Sequence, residues 1–151
     1  MSEKIRTQAR VVVIGGGVVG TSVIYHLAKK GWGDVVLVDK NELTSGATWH
    51  AAGLVGQLRS SRNMTRMIQY SVDLYKRLGE ETGQDTGWQG VGSLRIASSQ
   101  ARMQELRKIA NMGRGFGMQV DLLSPEETQE RFPILDRTDG VVGSAYVESD
   151  G

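Results

Sequence analysis

The chain has no cysteine among its 151 residues. This absence excludes disulfide bonds, thiolate nucleophiles and zinc sites built on cysteine. Any redox chemistry must therefore come from a bound cofactor, and we predict no metal site. The composition, 39% apolar and 23% charged, is typical of one globular domain with a sizeable core.

The chain also lacks an excess of one charge and any long apolar run. Lys and Arg number 18 against 17 Asp and Glu, so no strong field recruits nucleic acid or an anionic membrane. No apolar run approaches the roughly 20 residues of a membrane-spanning helix, and MSEKIRTQAR has no signal-peptide core. We predict a cytoplasmic protein, with a matrix protein already stripped of its transit peptide as the alternative.

Glycine, by contrast, is frequent, with 20 residues. ARVVVIGGGVVG predicts a short, fully buried strand over 11–14 that breaks into a glycine-rich turn and then a helix ending at Gly31. DVVLVDK predicts a second strand over 35–38. The two strands and the helix form a βαβ unit with a parallel pair. The predicted apolar face of the helix consists of Val19, Val23, Ile24, Leu27 and Ala28.

Gly15, Gly17 and Gly20 fit the pattern G-x-G-x-x-G between this strand and this helix. The first glycine allows the tight turn, the second lets a pyrophosphate approach the backbone, and the third lets helix and strand pack closely. Asp39 follows about 20 residues later, where a carboxylate accepts hydrogen bonds from a ribose and disfavours NADP. A glycine-rich turn in an unrelated α/β fold is the alternative, and the motif alone does not separate FAD from NAD.

The segment NELTSGATWHAAGLVGQLRSS after Lys40 is rich in small and hydroxyl residues, which lets it lie close to a ligand. Ser45, Thr48 and the backbone around Gly46 offer hydrogen bonds to phosphate and ribityl oxygens, and Gly53 gives further clearance. On the residues alone, the favoured interpretation of His50 is a neutral histidine that only hydrogen-bonds within its own loop.

Three stretches, VVVIGGGVVGTSVIYHLAKKG, VLVDKNELTSGATWHAAGL and LGEETGQDTGWQGVGSLRIAS, resemble the FAD-containing amine dehydrogenases of one-carbon metabolism. This is the sarcosine and dimethylglycine dehydrogenase family of the D-amino-acid oxidase-like superfamily. The resemblance runs over residues 10–151. Within it, the segments QLRSS and TGW are more similar to the sarcosine dehydrogenases than to the dimethylglycine dehydrogenases. One departure is Ile24, four residues after Gly20, where such helices often carry alanine.

The resemblance implies a histidyl bond between His50 and the 8α-methyl carbon of the flavin. It also implies that Val18 and Val19 meet the pyrophosphate, and that Asp39 and Lys40 meet the adenosine side. Trp49 packs under the flavin or into the core. The residues implied to wrap the flavin are Gly46, Ala47, Thr48, Trp49, His50, Ala51, Ala52, Gly53 and Leu54.

Beyond the loop, the sequence predicts helices over 63–82, 100–112 and 124–132 and strands over 92–98, 118–123 and 141–147. Ser124, Pro125 and Glu127 form a helix-start signal. We interpret three arginines near the start of the first of these helices, Arg59, Arg62 and Arg66, as a solvated basic edge. Attraction of a carboxylate or phosphate is the alternative. We interpret His26 as structural. The predicted core face of the first of these helices consists of Met64, Met67, Ile68, Leu74, Tyr75 and Leu78.

The predicted fold class is α/β: an FAD-binding, Rossmann-like βαβ unit of the D-amino-acid oxidase-like (GR2) type, with the start of an inserted α+β substrate domain. Within one N-terminal portion, 1–151, the predicted parts are the βαβ unit (10–40), the flavin loop (41–62) and the lead into the substrate domain (63–151). Only two parallel strands are present, so we expect a truncated chain, inactive by itself.

The family resemblance implies a flavin-dependent oxidoreductase that demethylates sarcosine or dimethylglycine by hydride transfer to a histidine-linked FAD. A separate electron acceptor and tetrahydrofolate, bound by a later region, complete the implied set of partners. Two alternatives stay open. One is a superfamily oxidoreductase with noncovalent FAD and another amine or hydroxy-acid substrate, and the other is a non-catalytic regulatory relative.

Overall fold

The structure is a computed structural model that describes residues 7–151; the first six residues of the polar N-terminal segment lie outside the described part. The chain divides into two compact units, Met1–Gly53 and Leu54–Gly151. Each unit is described by itself below.

The first unit is the predicted βαβ motif. Its elements are β1 (Val11–Ile14), α1 (Val18–Lys29) and β2 (Val35–Val38). The two strands pair in parallel, with Val11 opposite Val35 and Ile14 opposite Val38. Parallel strands require a crossover connection, which α1 provides.

Strand β1 is buried on one side only, so the prediction of a fully buried strand is wrong. Val12 is 53% exposed and Ile14 is 86% exposed, whereas Val11 and Val13 are half-buried. Successive side chains of a strand point to opposite faces, and within this unit α1 covers a single face of the two-stranded sheet.

Only part of the predicted apolar face of α1 turns inward, because Val19, Val23 and Ala28 are exposed. Val19 is 74% exposed and Val23 is 43% exposed, whereas Gly20 is buried and Ile24 and Leu27 are half-buried. The inward positions follow the i, i+4, i+7 spacing from Gly20, because the missing side chain there allows the closest backbone approach.

The second unit is an α+β arrangement. Its helices are α2 (Arg62–Thr82), α3 (Gln100–Gly115) and α4 (Pro125–Arg131), and its strands are β3 (Ser93–Ala97), β4 (Asp121–Leu123) and β5 (Gly143–Val147). The strands form an antiparallel sheet in the order β3-β5-β4. The core between α3 and this sheet consists of Leu58, Ala97, Met103, Leu106, Ala110, Met118, Val120, Ala145 and Val147.

The predicted elements of this unit are confirmed, with shifted ends. Helix α3 runs to Gly115, three residues further than predicted, and β4 contains only its last three predicted residues. The start of α4 is as predicted: the Ser124 hydroxyl accepts a hydrogen bond from the Glu127 N–H, and the Glu127 carboxylate accepts one from the Ser124 N–H at 2.7 Å. This reciprocal pair is a capping box.

Two methionines predicted for the core face of α2 are exposed: Met64 by 45% and Met67 by 58%. The buried side chains of the helix are instead Thr65 and Val72. The Thr65 hydroxyl accepts a hydrogen bond from the Arg59 N–H at 3.1 Å. Thr65 therefore lies on the inward side of α2, and the two methionines lie toward solvent.

The fully buried carboxylate of Asp150 joins three segments of the second unit. Its Oδ1 accepts hydrogen bonds from the Gln57 backbone N–H at 2.9 Å and from Gln57 Nε2 at 3.0 Å, and its Oδ2 accepts one from the Ser93 hydroxyl at 2.6 Å. The Val55 N–H also donates to the Gly151 carbonyl at 2.7 Å. Residues 55–57, in the later part of the predicted flavin loop, are thereby fixed beside the end of β5.

Replacing Asp150 with alanine is expected to lower the free energy of unfolding by about 3 kcal/mol, because three donors lose a buried, charged acceptor. Chemical denaturation of the variant and the parent protein measures this difference. Asp73→Ala, which removes an exposed carboxylate from α2, is the control and should change stability by less than about 0.5 kcal/mol. Equal effects of the two substitutions would contradict the role given to Asp150.

Candidate functional site

The glycine-rich turn between β1 and α1 is held in a conformation that needs its glycines. Gly15 has a φ of +102° and donates its N–H to the Val38 carbonyl at 2.8 Å. A Cβ atom on Gly20 would lie 1.8 Å from the Gly15 carbonyl oxygen. Helix α1 can therefore begin at Val18, directly after the turn, with Gly17 as its N-cap.

Gly20→Ala is expected to separate α1 from the turn and to lower the free energy of unfolding by about 3 kcal/mol, because the added methyl group overlaps a carbonyl oxygen. Thermal unfolding and retention of FAD are the measurements. Gly33→Ala is the matched control, because a Cβ there meets nothing within 4 Å and its φ is not positive. A Gly20→Ala protein as stable as the Gly33→Ala protein would refute the close packing.

Asp39 lies at the end of β2 and is turned toward the glycine-rich turn. Its Oδ2 accepts a hydrogen bond from the Gly16 N–H at 2.6 Å, and its Oδ1 accepts one from the Asn41 N–H at 2.8 Å. Both hydrogen bonds lower the pKa of Asp39 below its usual 3.8, and the bond from Gly16 has the larger effect. The carboxylate is thus ionised at neutral pH and keeps free lone pairs for ribose hydroxyl groups.

Lowering the pH should remove the contribution of Asp39 to stability. The pKa is lower in the folded chain than the unfolded value of 3.8, so the stabilisation is present above pH 3.8 and is lost as the pH falls toward the folded pKa. The unfolding midpoints of the parent protein and Asp39→Asn should differ by a constant amount near neutral pH and converge in acid. Glu42→Gln, an exposed neighbour, should give no such convergence. A difference that grows in acid would contradict the assignment.

Five residues at the carboxyl ends of β1 and β2 line an open cleft of about 500 Å³. Its volume is in the range of small-molecule sites. This is the edge where open parallel sheets bind ligands. The lining residues are Ile14, Gly15, Val38, Asp39 and Lys40.

The loop after β2 is attached to the glycine-rich turn. The Thr44 N–H donates to the Gly16 carbonyl at 2.9 Å, and a Cβ on Gly16 would lie 2.3 Å from Leu43 Cδ2. Thr44 itself has a φ of +61°, which is an outlier for a β-branched residue. Such strain persists only where the surrounding contacts fix the backbone.

Thr48 occupies part of the helix N-terminus. Its Oγ1 accepts a hydrogen bond from the Val18 N–H at 2.9 Å. The resemblance implied that Val18 meets the pyrophosphate, but in this structure its N–H is bonded to Thr48.

His50 is exposed and bonded within its own loop: Nδ1 lies 3.0 Å from the Gly46 carbonyl oxygen. A carbonyl only accepts, so Nδ1 carries the hydrogen, and Nε2 keeps its lone pair. Trp49, with 79% of its surface exposed, does not pack into the core.

The other predicted loop residues are placed as follows. The Ser45 hydroxyl donates to the Glu42 carbonyl at 2.8 Å, so it faces its own turn. Leu54 belongs to the second unit and is 87% exposed. The remaining predicted loop residues are all exposed: Gly46, Ala47, Ala51, Ala52 and Gly53.

The three arginines near the start of α2 are exposed, as predicted for a basic edge. Arg59 donates to the Leu58 carbonyl at 3.1 Å, and Arg62 donates to the Gly115 carbonyl at 2.9 Å. In α1, His26 Nδ1 lies 2.7 Å from the Ser22 carbonyl oxygen, in keeping with the structural role predicted for it.

The sequence did not single out the contacts made by Gly16, Asn41, Leu43 and Thr44. Gly16 is the middle residue of the motif and has no assigned position in the pattern. Leu43 and Thr44 reach it across the sheet edge, and threonine is not a residue that signals a positive φ.

These residues fit the pyrophosphate and ribose of a dinucleotide. The turn offers side-chain-free backbone at Gly15 and Gly17, and the first N–H groups of a helix have no carbonyl partner within it. An ionised carboxylate faces the same turn. The site is therefore of the dinucleotide-binding class.

The chain belongs to the FAD dependent oxidoreductase family, whose pattern it matches over residues 10–151. Mitochondrial sarcosine dehydrogenase of Mus musculus is 42% identical over 151 residues, which are 99% of this chain and 16% of that protein. Mitochondrial dimethylglycine dehydrogenase of Rattus norvegicus is 40% identical over 146 residues, 97% of this chain and 17% of that protein. The chain thus spans about a sixth of the length of these relatives.

A third relative has a different description. The mitochondrial pyruvate dehydrogenase phosphatase regulatory subunit of Mus musculus is 40% identical over 143 residues, 95% of this chain and 16% of that protein.

Among solved structures, L-proline dehydrogenase from P. horikoshii matches with a TM-score of 0.89 and 27% identity, over 97% of this chain and 38% of that one. This match and the family pattern confirm the predicted fold class. Within residues 7–151, no helix has the length and apolar character needed to cross a membrane.

Proposed function

We propose that the full-length protein is an FAD-dependent amine dehydrogenase that oxidatively demethylates a secondary or tertiary amine such as sarcosine or dimethylglycine. The observation that carries the proposal is the joining of GATWHAAG to a complete dinucleotide-binding turn through Thr44 and Thr48. Two relatives at 40 to 42% identity are named for these substrates. The L-proline dehydrogenase match supports the same chemical class, because proline is a secondary amine.

Bound FAD would supply the acceptor for the hydride that leaves the N-methyl carbon. The protein's part is to hold that cofactor: the glycine-rich turn leaves room for the pyrophosphate, and Asp39 accepts hydrogen bonds from the ribose. We propose the parts 10–40, 41–62 and 63–151 as the βαβ unit, the flavin loop and the lead into the substrate domain. A separate electron acceptor, and tetrahydrofolate held by a later region, belong to the same proposal.

His50 is the proposed point of covalent flavin attachment, through Nε2. The bond from Nδ1 to the Gly46 carbonyl fixes the tautomer in which Nε2 has the free lone pair. A nitrogen with a lone pair on an exposed ring can form a bond to carbon, whereas the protonated nitrogen cannot. The chain's only other histidine, His26, uses its Nδ1 inside α1.

We expect digestion of the full-length protein to give a flavin adduct on the peptide that contains His50, with the bond at Nε2. Mass spectrometry and the absorbance that survives acid precipitation are the measurements. His50→Ala should abolish acid-stable flavin, whereas the matched variant His26→Gln should retain it.

Unmodified His50 peptide together with tightly held FAD would remove the covalent part of the proposal. The second candidate, a superfamily oxidoreductase with noncovalent flavin and another amine or hydroxy acid, would then be favoured. Adding each of a panel of candidate amines and hydroxy acids and recording the loss of flavin absorbance would identify the compound that reduces the enzyme.

A non-catalytic relative is the third candidate, and the 40% identity to a regulatory subunit is the observation that supports it. Full-length protein that binds no FAD would favour this candidate. For the compartment, the sequence predicted the cytoplasm with the matrix as the alternative, and the names of two relatives describe those proteins as mitochondrial.

A further inference from the structure

Thr48 joins the phosphate-binding end of α1 to the loop that carries His50. Its Oγ1 accepts the Val18 N–H hydrogen bond at 2.9 Å, across 30 residues of sequence. A Cβ on Gly17 would lie 3.1 Å from the same oxygen. The glycine at the N-cap therefore gives the threonine hydroxyl access to the start of the helix.

The Thr48 hydroxyl group also has a hydrogen that it can donate. A threonine hydroxyl has one hydrogen and two lone pairs, and the Val18 bond uses a lone pair. In the part of the chain that the structure describes, the Thr48 hydrogen has no acceptor. An anionic oxygen at the helix N-terminus is the natural partner for it, because the helix dipole attracts negative charge there.

The loop transmits the position of Thr48 to His50 through short hydrogen-bonded turns. The Trp49 N–H donates to the Gly46 carbonyl at 3.1 Å, and the Ala51 N–H donates to the Thr48 carbonyl at 3.3 Å. The His50 ring is bonded to the Gly46 carbonyl at 3.0 Å. These bonds connect Thr48 to the backbone and ring of His50 within residues 46–51, so we expect a shift at Thr48 to displace the imidazole.

We propose that Thr48 is a positioning residue for flavin attachment: its hydroxyl accepts the Val18 N–H and thereby sets the His50 imidazole in the place needed to form the histidyl bond. The inference rests on the proposed function. Thr48 acts through His50 and takes no part in bond making. The new bond between Nε2 and carbon would replace a C–H bond of the flavin 8α-methyl group: the proton would leave to solvent, and the electron pair would reduce the flavin, from which the separate electron acceptor would remove it. When a phosphate group lies at the N-terminus of α1, the Thr48 hydroxyl hydrogen donates to one of its oxygens. This second bond holds Thr48 in the same position.

The experiment compares Thr48→Val with Thr48→Ser in full-length apoprotein reconstituted with saturating FAD. Valine has the shape of threonine without the hydroxyl, so the Val18 N–H loses its acceptor, and we expect covalent attachment to slow about tenfold or more. Serine keeps the hydroxyl and should attach flavin within about threefold of the parent rate. Acid-stable flavin is measured against time, and total bound FAD is measured by fluorescence quenching before acid is added.

Ser71→Ala is the matched control, because the Ser71 hydroxyl donates to the Met67 carbonyl at 3.1 Å within α2, outside the loop and the glycine-rich turn. It should attach flavin at the parent rate. Thr48→Ala repeats the test with a smaller side chain if the valine protein binds no FAD.

The outcomes separate this inference from the proposed function. Parent protein that forms the adduct, with Thr48→Val and Thr48→Ala forming it equally fast at full FAD occupancy, overturns the role of Thr48 and leaves the proposed function standing. Parent protein that binds FAD but never forms the adduct overturns both the covalent part of the proposed function and this inference. Slow attachment in both hydroxyl-free variants, with rescue by serine, supports the inference.

Discussion

The close approach of Gly20 to the Gly15 carbonyl is the constraint on which the rest of the first unit depends. The 1.8 Å that would separate an added Cβ from that oxygen leaves no room for any side chain. Because the helix comes this near, it begins at Val18, and its first N–H points at Thr48. The close approach of the helix thus brings its first N–H to the place where Thr48, in the loop that carries His50, accepts it.

Polar contacts then adapt this geometry to a ligand. The Asp39 carboxylate holds the Gly16 N–H and fixes the middle of the turn, and the Gly16 carbonyl in turn accepts the Thr44 N–H. A single residue of the turn, Gly16, therefore contacts both the end of β2 and the loop. The same contacts force Thr44 into a left-handed conformation, a local cost that the surrounding bonds offset.

Local patterns in the sequence were sufficient for the elements and the turn, because glycine spacing, apolar runs and the Ser124 capping box are short-range signals. They were insufficient for the inward faces. Met64 and Met67 have the spacing of a core stripe, but the buried residue in this turn of α2 is Thr65, whose hydroxyl accepts a hydrogen bond from the Arg59 N–H. The Thr48 contact with Val18 spans 30 residues, and no periodicity encodes such a pairing. Ile14, in a strand predicted to be buried, is exposed because burial depends on how many faces of the sheet are covered.

The bond between Asp150 and Gln57 has a kinetic consequence. The two residues are 93 positions apart, and closing so large a loop loses chain entropy before the contact returns any stabilisation. Strands β3 and β5 must already be paired for the Asp150 carboxylate to be in place. The segment around Gln57 is therefore expected to gain its fixed neighbours late, once this long loop within the second unit has closed.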